Sequence, residues 1–217
     1  MPSSATDLIS ERAYAELRER IVTLRLAPGT VLREDELMSD LAIGRTPLRE
    51  AIKRLALENL VAVQPRSGTY VTSVDAADIV HIAEVRAELE AQAAELAARR
   101  LDDDIAARAE ALLERLRTLD PVAGSDELMH IDEAIHRLAW DGSRNPYLID
   151  TLERYFALSQ RVWYVVLDRV PALGTAVLDH ERLLESILAR EPDRARALMR
   201  EHVVAFEREI MAAFESV

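Results

Sequence analysis

Three helical stripes followed by a hairpin decide what the start of this chain can become. Leu8, Tyr14, Leu17, Ile21 and Leu24 recur at helical spacing from about Asp7 to Leu24. Leu26-Ala27-Pro28-Gly29-Thr30 stops that helix, because proline and glycine punctuate turns. A second helix over about Arg33 to Leu41 would bury Leu37 and Leu41, and Gly44 breaks the chain before a third. The third runs from Arg45 to about Asn59 or Leu60, with Leu48, Ala51, Ile52, Leu55 and Ala56 on one face. Val61-Ala62-Val63-Gln64 and Thr69-Tyr70-Val71-Thr72 read as short strands joined across Pro65-Arg66-Ser67-Gly68. Glycine supplies the unusual dihedral angles of such a hairpin turn. Three helices and a hairpin make a winged helix-turn-helix over residues 1–74.

The third helix carries a second face. Arg45, Arg49 and Lys53 are four apart and line up along it, able to lie in a DNA groove. An arginine fork there can bond bidentately to the guanine edge in the major groove. Taken alone, the segment reads equally well as a solvated amphipathic helix. The net charge of −12 argues against nucleic acid only if it is evenly spread, and it is not. Residues 1–75 carry 10 basic and 11 acidic groups, whereas residues 76–217 carry 17 against 28. A DNA contact responds to the local field, within a Debye length of about 8 Å at physiological salt. Between residues 43 and 70, five cations (Arg45, Arg49, Lys53, Arg54, Arg66) face two anions, Glu50 and Glu58.

The fold class is mainly α, with residues 75–217 expected to form an all-α bundle of six helices. Asp75 reads as the N-cap of a long helix to about Arg100, with Ile79, Ile82, Leu89, Ala93 and Leu96 inward. Further helices read at roughly 102–119, 126–141, 146–168, 175–190 and 192–215, separated by proline, glycine and asparagine breaks. Asn145-Pro146 reads as an N-cap followed by a first-turn proline. There is no cysteine, so disulfides are excluded and a reducing cytoplasm is the natural location. No apolar run approaches the length of a membrane span.

Within the bundle, Asp132 and His136 share one helix face. His180 and His202 fall on the last two helices, each beside an apolar stripe. One carboxylate and three imidazoles that converged would make a metal site with room for water or an anionic ligand. Histidines on half-apolar faces also occur simply as satisfied core residues, and spacing does not decide between these readings. His81 and His130 read as surface residues. Arg86, between Val85 and Leu89, needs a carboxylate if half-buried, supplied either by Glu84, Glu88 or Glu90 or by a ligand. Gln160 and Arg161 could face either the interior or solvent.

Taken together, the chain resembles a bacterial GntR-family transcriptional regulator of the FadR type, with a C-terminal FCD domain. The six-helix count is similar to the VanR-like branch. The resemblance covers nearly all of residues 8–215. It rests on Pro28-Gly29-Thr30, Arg45-Thr46-Pro47-Leu48-Arg49-Glu50-Ala51, Gly68 with Val71, Arg86 and Glu90, Asp132 with His136, Asn145, His180 and His202. It implies a homodimer on a palindromic operator in double-stranded DNA, with each recognition helix in a major groove and each wing tip in a minor groove. By position, Arg45 and Arg49 would read bases, Thr46 and Lys53 would hold phosphates, and Arg66 and Gly68 would lie at the wing tip. Asp132, His136, His180 and His202 match the family's ligands for a divalent metal such as zinc, nickel, manganese or iron. Arg86 would anchor a small organic acid effector beside it. Where relatives usually read Leu-Gly-Val-Ser-Arg, this chain has Leu41-Ala42-Ile43-Gly44-Arg45. The serine cap of the recognition helix is thereby lost, and glycine replaces it at a cost of a few tenths of a kcal/mol. The second helix also begins with acid, Arg33-Glu34-Asp35-Glu36, where some relatives place a basic DNA contact.

An enzyme is the main rival reading. Di-iron bundles use a Glu-x-x-His pair on each of two helices. Here Glu127/His130 and Glu133/His136 share one helix and cannot clamp two metals from opposite sides. A third reading is a DNA-binding protein whose helical half only dimerises.

Overall fold

The computed structural model describes residues 5–64, 68–73, 75–120, 124–166 and 173–215. Arg66, expected at the wing tip, lies outside the described residues. The chain divides into two compact units, one of Met1–Asp75 with Gln160–Val165, the other of Ala76–Ser159 with Val166–Val217.

The first unit contains α1 (Ala5–Val22), β1 (Val31–Leu32), α2 (Glu34–Leu41), α3 (Arg45–Leu57), β2 (Val61–Gln64) and β3 (Gly68–Val71). The strands form an antiparallel sheet in the order β1-β3-β2, with Val61 opposite Val71 and Gln64 opposite Gly68. The small strand β1 pairs Val31 with Tyr70, and its two residues are too few to show a sequence period. Leu17, Ile21, Leu48, Leu55, Leu60 and Val71 are fully buried and form the core under the sheet. Leu8 departs from the expected stripe: it is 64% exposed, and the buried face of α1 begins at Ala13. Leu24 departs too, because α1 has ended and its φ of +59° places it in the closing turn. Tyr14 ties α1 to the end of α3, donating its hydroxyl to Glu58 at 2.8 Å while Arg54 stacks 3.6 Å from its ring centre.

The turn between α2 and α3 closes on Ala42, whose φ of +52° is left-handed. Its N–H bonds the Ser39 carbonyl, and the Ile43 N–H bonds that of Met38 at 3.1 Å. The departure from glycine therefore leaves the turn geometry intact, with a Cβ carried in a conformation that costs an L-residue about 1–2 kcal/mol. Gly44 caps α3 with extended backbone and no side-chain hydrogen bond.

After Asp75 every regular element among the described residues is a helix: α4 (Ala76–Arg99), α5 (Asp103–Arg117), α6 (Ser125–Gly142), α7 (Pro146–Val166), α8 (Leu173–Leu178), α9 (His180–Leu188) and α10 (Pro192–Phe214). The stretch expected as one helix over 175–190 is interrupted at Asp179, so α8 and α9 are separate segments. Small residues on α4 (Ala91, Ala94, Ala97, Ala98) are fully buried and let neighbouring helices approach closely. Gly142 ends α6 against them; a Cβ there would stand 2.8 Å from that of Ala97. Asp102 caps α5 by accepting from the Ile105 N–H at 3.0 Å. Asn145 accepts from the Leu148 N–H at the start of α7, as its place before Pro146 predicts. Ile82, Leu89 and Leu96, expected inward on α4, are only half-buried. Part of α7, Gln160–Val165, groups with the first unit; both Gln160 and Arg161 are buried, and Arg161 donates to Thr72 Oγ1 at 2.7 Å.

Candidate DNA-reading face and metal centre

On α3, burial of Pro47, Leu48, Ala51, Ile52 and Leu55 turns Arg45, Thr46, Arg49 and Lys53 outward. The side chains of Arg45, Arg49 and Lys53 are 60%, 58% and 69% exposed. Each has an acidic companion. Arg49 Nε donates to Glu34 at 3.1 Å, Arg45 lies 3.7 Å from Glu34 and 3.5 Å from Asp35, and Lys53 reaches Glu50 at 2.7 Å. Exposed pairs of this kind contribute little to the stability of the fold. Gly68 opens β3 with φ +99°, and nothing lies within 4 Å of where its Cβ would be. The acidic start of α2 is plain in the sequence, but its contact with the arginines of α3 spans a turn and carries no local period.

The second unit gathers the four expected metal ligands. Asp132 and His136 come from α6, His180 from the first turn of α9 and His202 from α10. One ligand atom from each lies within 4.8 Å of all the others. Nε2 of His136 is 3.3 Å from Nε2 of His202, and the Asp132 oxygens lie 3.7–3.8 Å from the three imidazoles. Metal–nitrogen bonds of 2.0–2.1 Å would require ligand separations of about 3.3 Å in a tetrahedron, so the 3.3–3.8 Å edges are near that size and the set, spanning up to 4.8 Å, would have to contract around an ion.

Two buried atoms show why the group fits a cation. His180 Nδ1 is 3.1 Å from the Val177 carbonyl, and since a carbonyl only accepts, Nδ1 carries the proton and Nε2 presents a lone pair. That Nε2 and Asp132 Oδ2 are both buried without a hydrogen-bond partner. Buried acceptors left unsatisfied are costly, and a cation satisfies both at once. Burial pushes the pKa of His180 down to about 4, only partly opposed by Asp132, which keeps its imidazole in the neutral, ligating form. Burial and the neighbouring imidazoles hold His202 far below its ordinary value. His136 differs: burial would lower its pKa, but Glu90 and Asp132 outweigh burial and raise it. A proton on His136 Nε2 would point to His202, and a metal would displace it.

Behind His136 lies a network that is only partly legible in the sequence. Glu90 is fully buried on α4 with its oxygens 3.1 Å from Arg86 Nη2, 2.5 Å from Trp140 Nε1 and 3.0 Å from His136 Nδ1. The last is an ion-pair contact rather than an aligned hydrogen bond. Burial would raise the Glu90 pKa, but His136, Arg86 and the Trp140 N–H hold it at about 2. Arg86 is buried as well and donates to Glu207 of α10 at 3.0 Å. The Arg86–Glu90 pair follows from i,i+4 spacing, whereas Glu207, between apolar Phe206 and Ile210, gives no such signal. His81 and His130 are exposed. A cavity of about 120 Å³ reaches His180 and His202 between α9 and α10, with Asp179, Arg182 and Glu201 at its wall.

A winged helix-turn-helix in one chain with an all-helical unit defines the class, a DNA-binding transcriptional regulator. The chain belongs to the gntR family of bacterial regulatory proteins, which residues 9–71 match, and carries an FCD domain over residues 81–205. It is 32% identical over 202 residues to the HTH-type transcriptional repressor GlaR of Escherichia coli (strain K12), an overlap spanning 88% of this chain and 90% of that protein. The Nta operon transcriptional regulator of Aminobacter aminovorans is 31% identical over 186 residues, 84% of this chain and 85% of its own. Among solved structures, E. coli McbR/YncC superposes with a TM-score of 0.82 at 21% identity, covering 95% of this chain and 98% of that one, and shows the same fold. The family and these relatives regulate transcription; the protein is not an enzyme. Among the described residues, no helix is long and apolar enough to cross a membrane.

Proposed function

We propose that this regulator is a cytoplasmic, metal-dependent sensor of a small carboxylate, acting as a repressor. Residues 1–74 read DNA, and residues 75–217 bind the effector and hold two copies together as a homodimer on a palindromic operator. Arg45 and Arg49 read bases, Thr46 and Lys53 hold phosphates, and Arg66 and Gly68 form the wing tip. Asp132, His136, His180 and His202 hold a divalent ion, whether zinc, nickel, manganese or iron, and availability selects among them. When bound, that ion supplies a Lewis-acid position for an anionic group. The observation that carries this reading is the buried, unsatisfied pair of His180 Nε2 and Asp132 Oδ2 facing two further imidazoles.

Arg86 anchors the effector's carboxylate. It already holds Glu90 and Glu207, so an incoming carboxylate reaches it by exchanging with one of them. Glu207 is the partner on a different helix, and its release would be felt in the packing of α10 on α4. Operator affinity then changes by as much as the effector distinguishes two arrangements of the dimer, and the coupling is reciprocal. Repression agrees with the GlaR name of one relative.

Thermal-shift screening of short mono- and dicarboxylates, with and without added zinc, tests the sensor. A carboxylate that raises Tm only with metal, and not in His180→Ala, supports it. A protein indifferent to every acid in both states would be a DNA-binding protein whose helical unit only dimerises.

A further inference from the structure

Glu34 is the first residue of α2, and its carboxylate lies between two arginines of α3. Both its oxygens approach Arg49 Nε, at 3.1 and 3.2 Å, and Oε2 is 3.7 Å from Arg45 Nε. Asp35 adds a contact at 3.5 Å to Arg45 Nη2. Easing the N-terminal dipole of α2 does not require this arrangement, since Asp35 and Glu36 also stand in the first turn.

The edge that is engaged matters. A guanidinium can present Nη1 and Nη2 end-on, the fork that meets guanine O6 and N7. Glu34 takes the Nε side of Arg49, and among the described residues its two terminal nitrogens have no partner. The long side chain is thus aimed before DNA arrives, so less rotamer freedom remains to be lost on binding. The same carboxylate stands where it repels a phosphate backbone, which opposes indiscriminate contact.

We propose that Glu34 is a specificity-determining residue: it positions Arg49, and with Asp35 also Arg45, for base reading, while disfavouring non-specific DNA. This rests on α3 being the base-reading helix, and a double-mutant cycle separates the two claims. The probe is a duplex enriched by the wild-type protein from a randomised DNA pool, set against a scrambled duplex of equal length and composition. Kd for both is measured for wild type, Glu34→Gln, Arg49→Ala and the double variant, with circular dichroism confirming the fold.

In Glu34→Gln, binding to the scrambled duplex should hold or tighten while binding to the selected duplex weakens. The ratio of the two should fall by about threefold or more, part of the discrimination one bidentate contact supplies. In the Arg49→Ala background the same substitution should leave the ratio unchanged. A ratio untouched by Glu34→Gln but lowered by Arg49→Ala overturns the role of Glu34 and spares the helix. An equal fall with and without Arg49 means that Glu34 touches DNA itself, which also overturns it. A ratio untouched by Arg49→Ala removes Arg49 from base reading, and this inference with it.

Discussion

Replacing Glu90 tests the buried network most sharply, because it accepts from two buried donors and pairs with a buried imidazole. Arg86 Nη2, Trp140 Nε1 and His136 Nδ1 lie 3.1, 2.5 and 3.0 Å from its two oxygens. Glutamine keeps the size but sets an NH₂ group against one of those donors and removes the charge balancing Arg86. One buried donor left unsatisfied costs about 1–3 kcal/mol, and the lost charge assistance adds to it, so Glu90→Gln should cost on the order of 3 kcal/mol. Glu90→Leu removes every acceptor and leaves Arg86 with Glu207 alone, a broken buried pair worth about 3–5 kcal/mol. Urea unfolding of metal-free protein followed by circular dichroism should show the midpoint falling in that order with the slope m preserved. Zinc affinity, read by competition with a chromophoric chelator, should fall about 10–100-fold in Glu90→Gln, because the carboxylate behind a ligating imidazole orients it. A Glu90→Gln protein within about 0.5 kcal/mol of wild type would refute the network, since a buried acceptor with two donors and an ion-pair contact cannot be lost that cheaply.

Other consequences are as direct. Ala42→Gly should stabilise the first unit by about 0.5–1 kcal/mol, the relief of a left-handed Cβ less the extra entropy of glycine unfolded; a lower denaturation midpoint would contradict that backbone geometry. Arg45→Ala should cost about 1–3 kcal/mol of specific DNA binding, measured by fluorescence anisotropy, and unchanged affinity would remove Arg45 from base reading. His180 titrates near 4 when folded against about 6.5 unfolded, so the unfolded chain takes the proton first. Its contribution is full above pH 6.5 and is lost as pH falls, about 2 kcal/mol between pH 7 and 5. His180→Asn should flatten that part of the metal-free stability profile, and an unaltered slope would place the imidazole in a wetter setting than the bundle core.

Most of the fold was legible because its signals are local. Apolar spacing marked each long helix, and Pro28-Gly29, Gly44, Asn145-Pro146 and Glu191-Pro192 marked where helices stop or start. The misses share a cause. Leu8 fits the α1 period but lies outside the buried face, which begins only at Ala13. Strand β1 exists only because β3 offers a free edge, and Val31-Leu32 has no period to read. The break at Asp179 is equally silent, since the apolar spacing continues from Val177 into Leu183 and Leu184. At the site, spacing put Asp132 with His136 and Arg86 with Glu90, but three separate helices bring Asp132, His180 and His202 together. Only the family resemblance anticipated that meeting. Glu207 on Arg86 and Glu34 on Arg49 were invisible for the same reason: each partner is a long way along the chain or across a turn.

The central claim is that Asp132, His136, His180 and His202 form a metal centre rather than a satisfied core. Elemental analysis of protein purified without chelator tests it most directly, on wild type and His180→Ala side by side. The account predicts about one divalent ion per chain in the wild type, and its loss from a folded His180→Ala protein. A wild-type protein that neither carries an ion nor takes up zinc, nickel, manganese or iron on dialysis would contradict it.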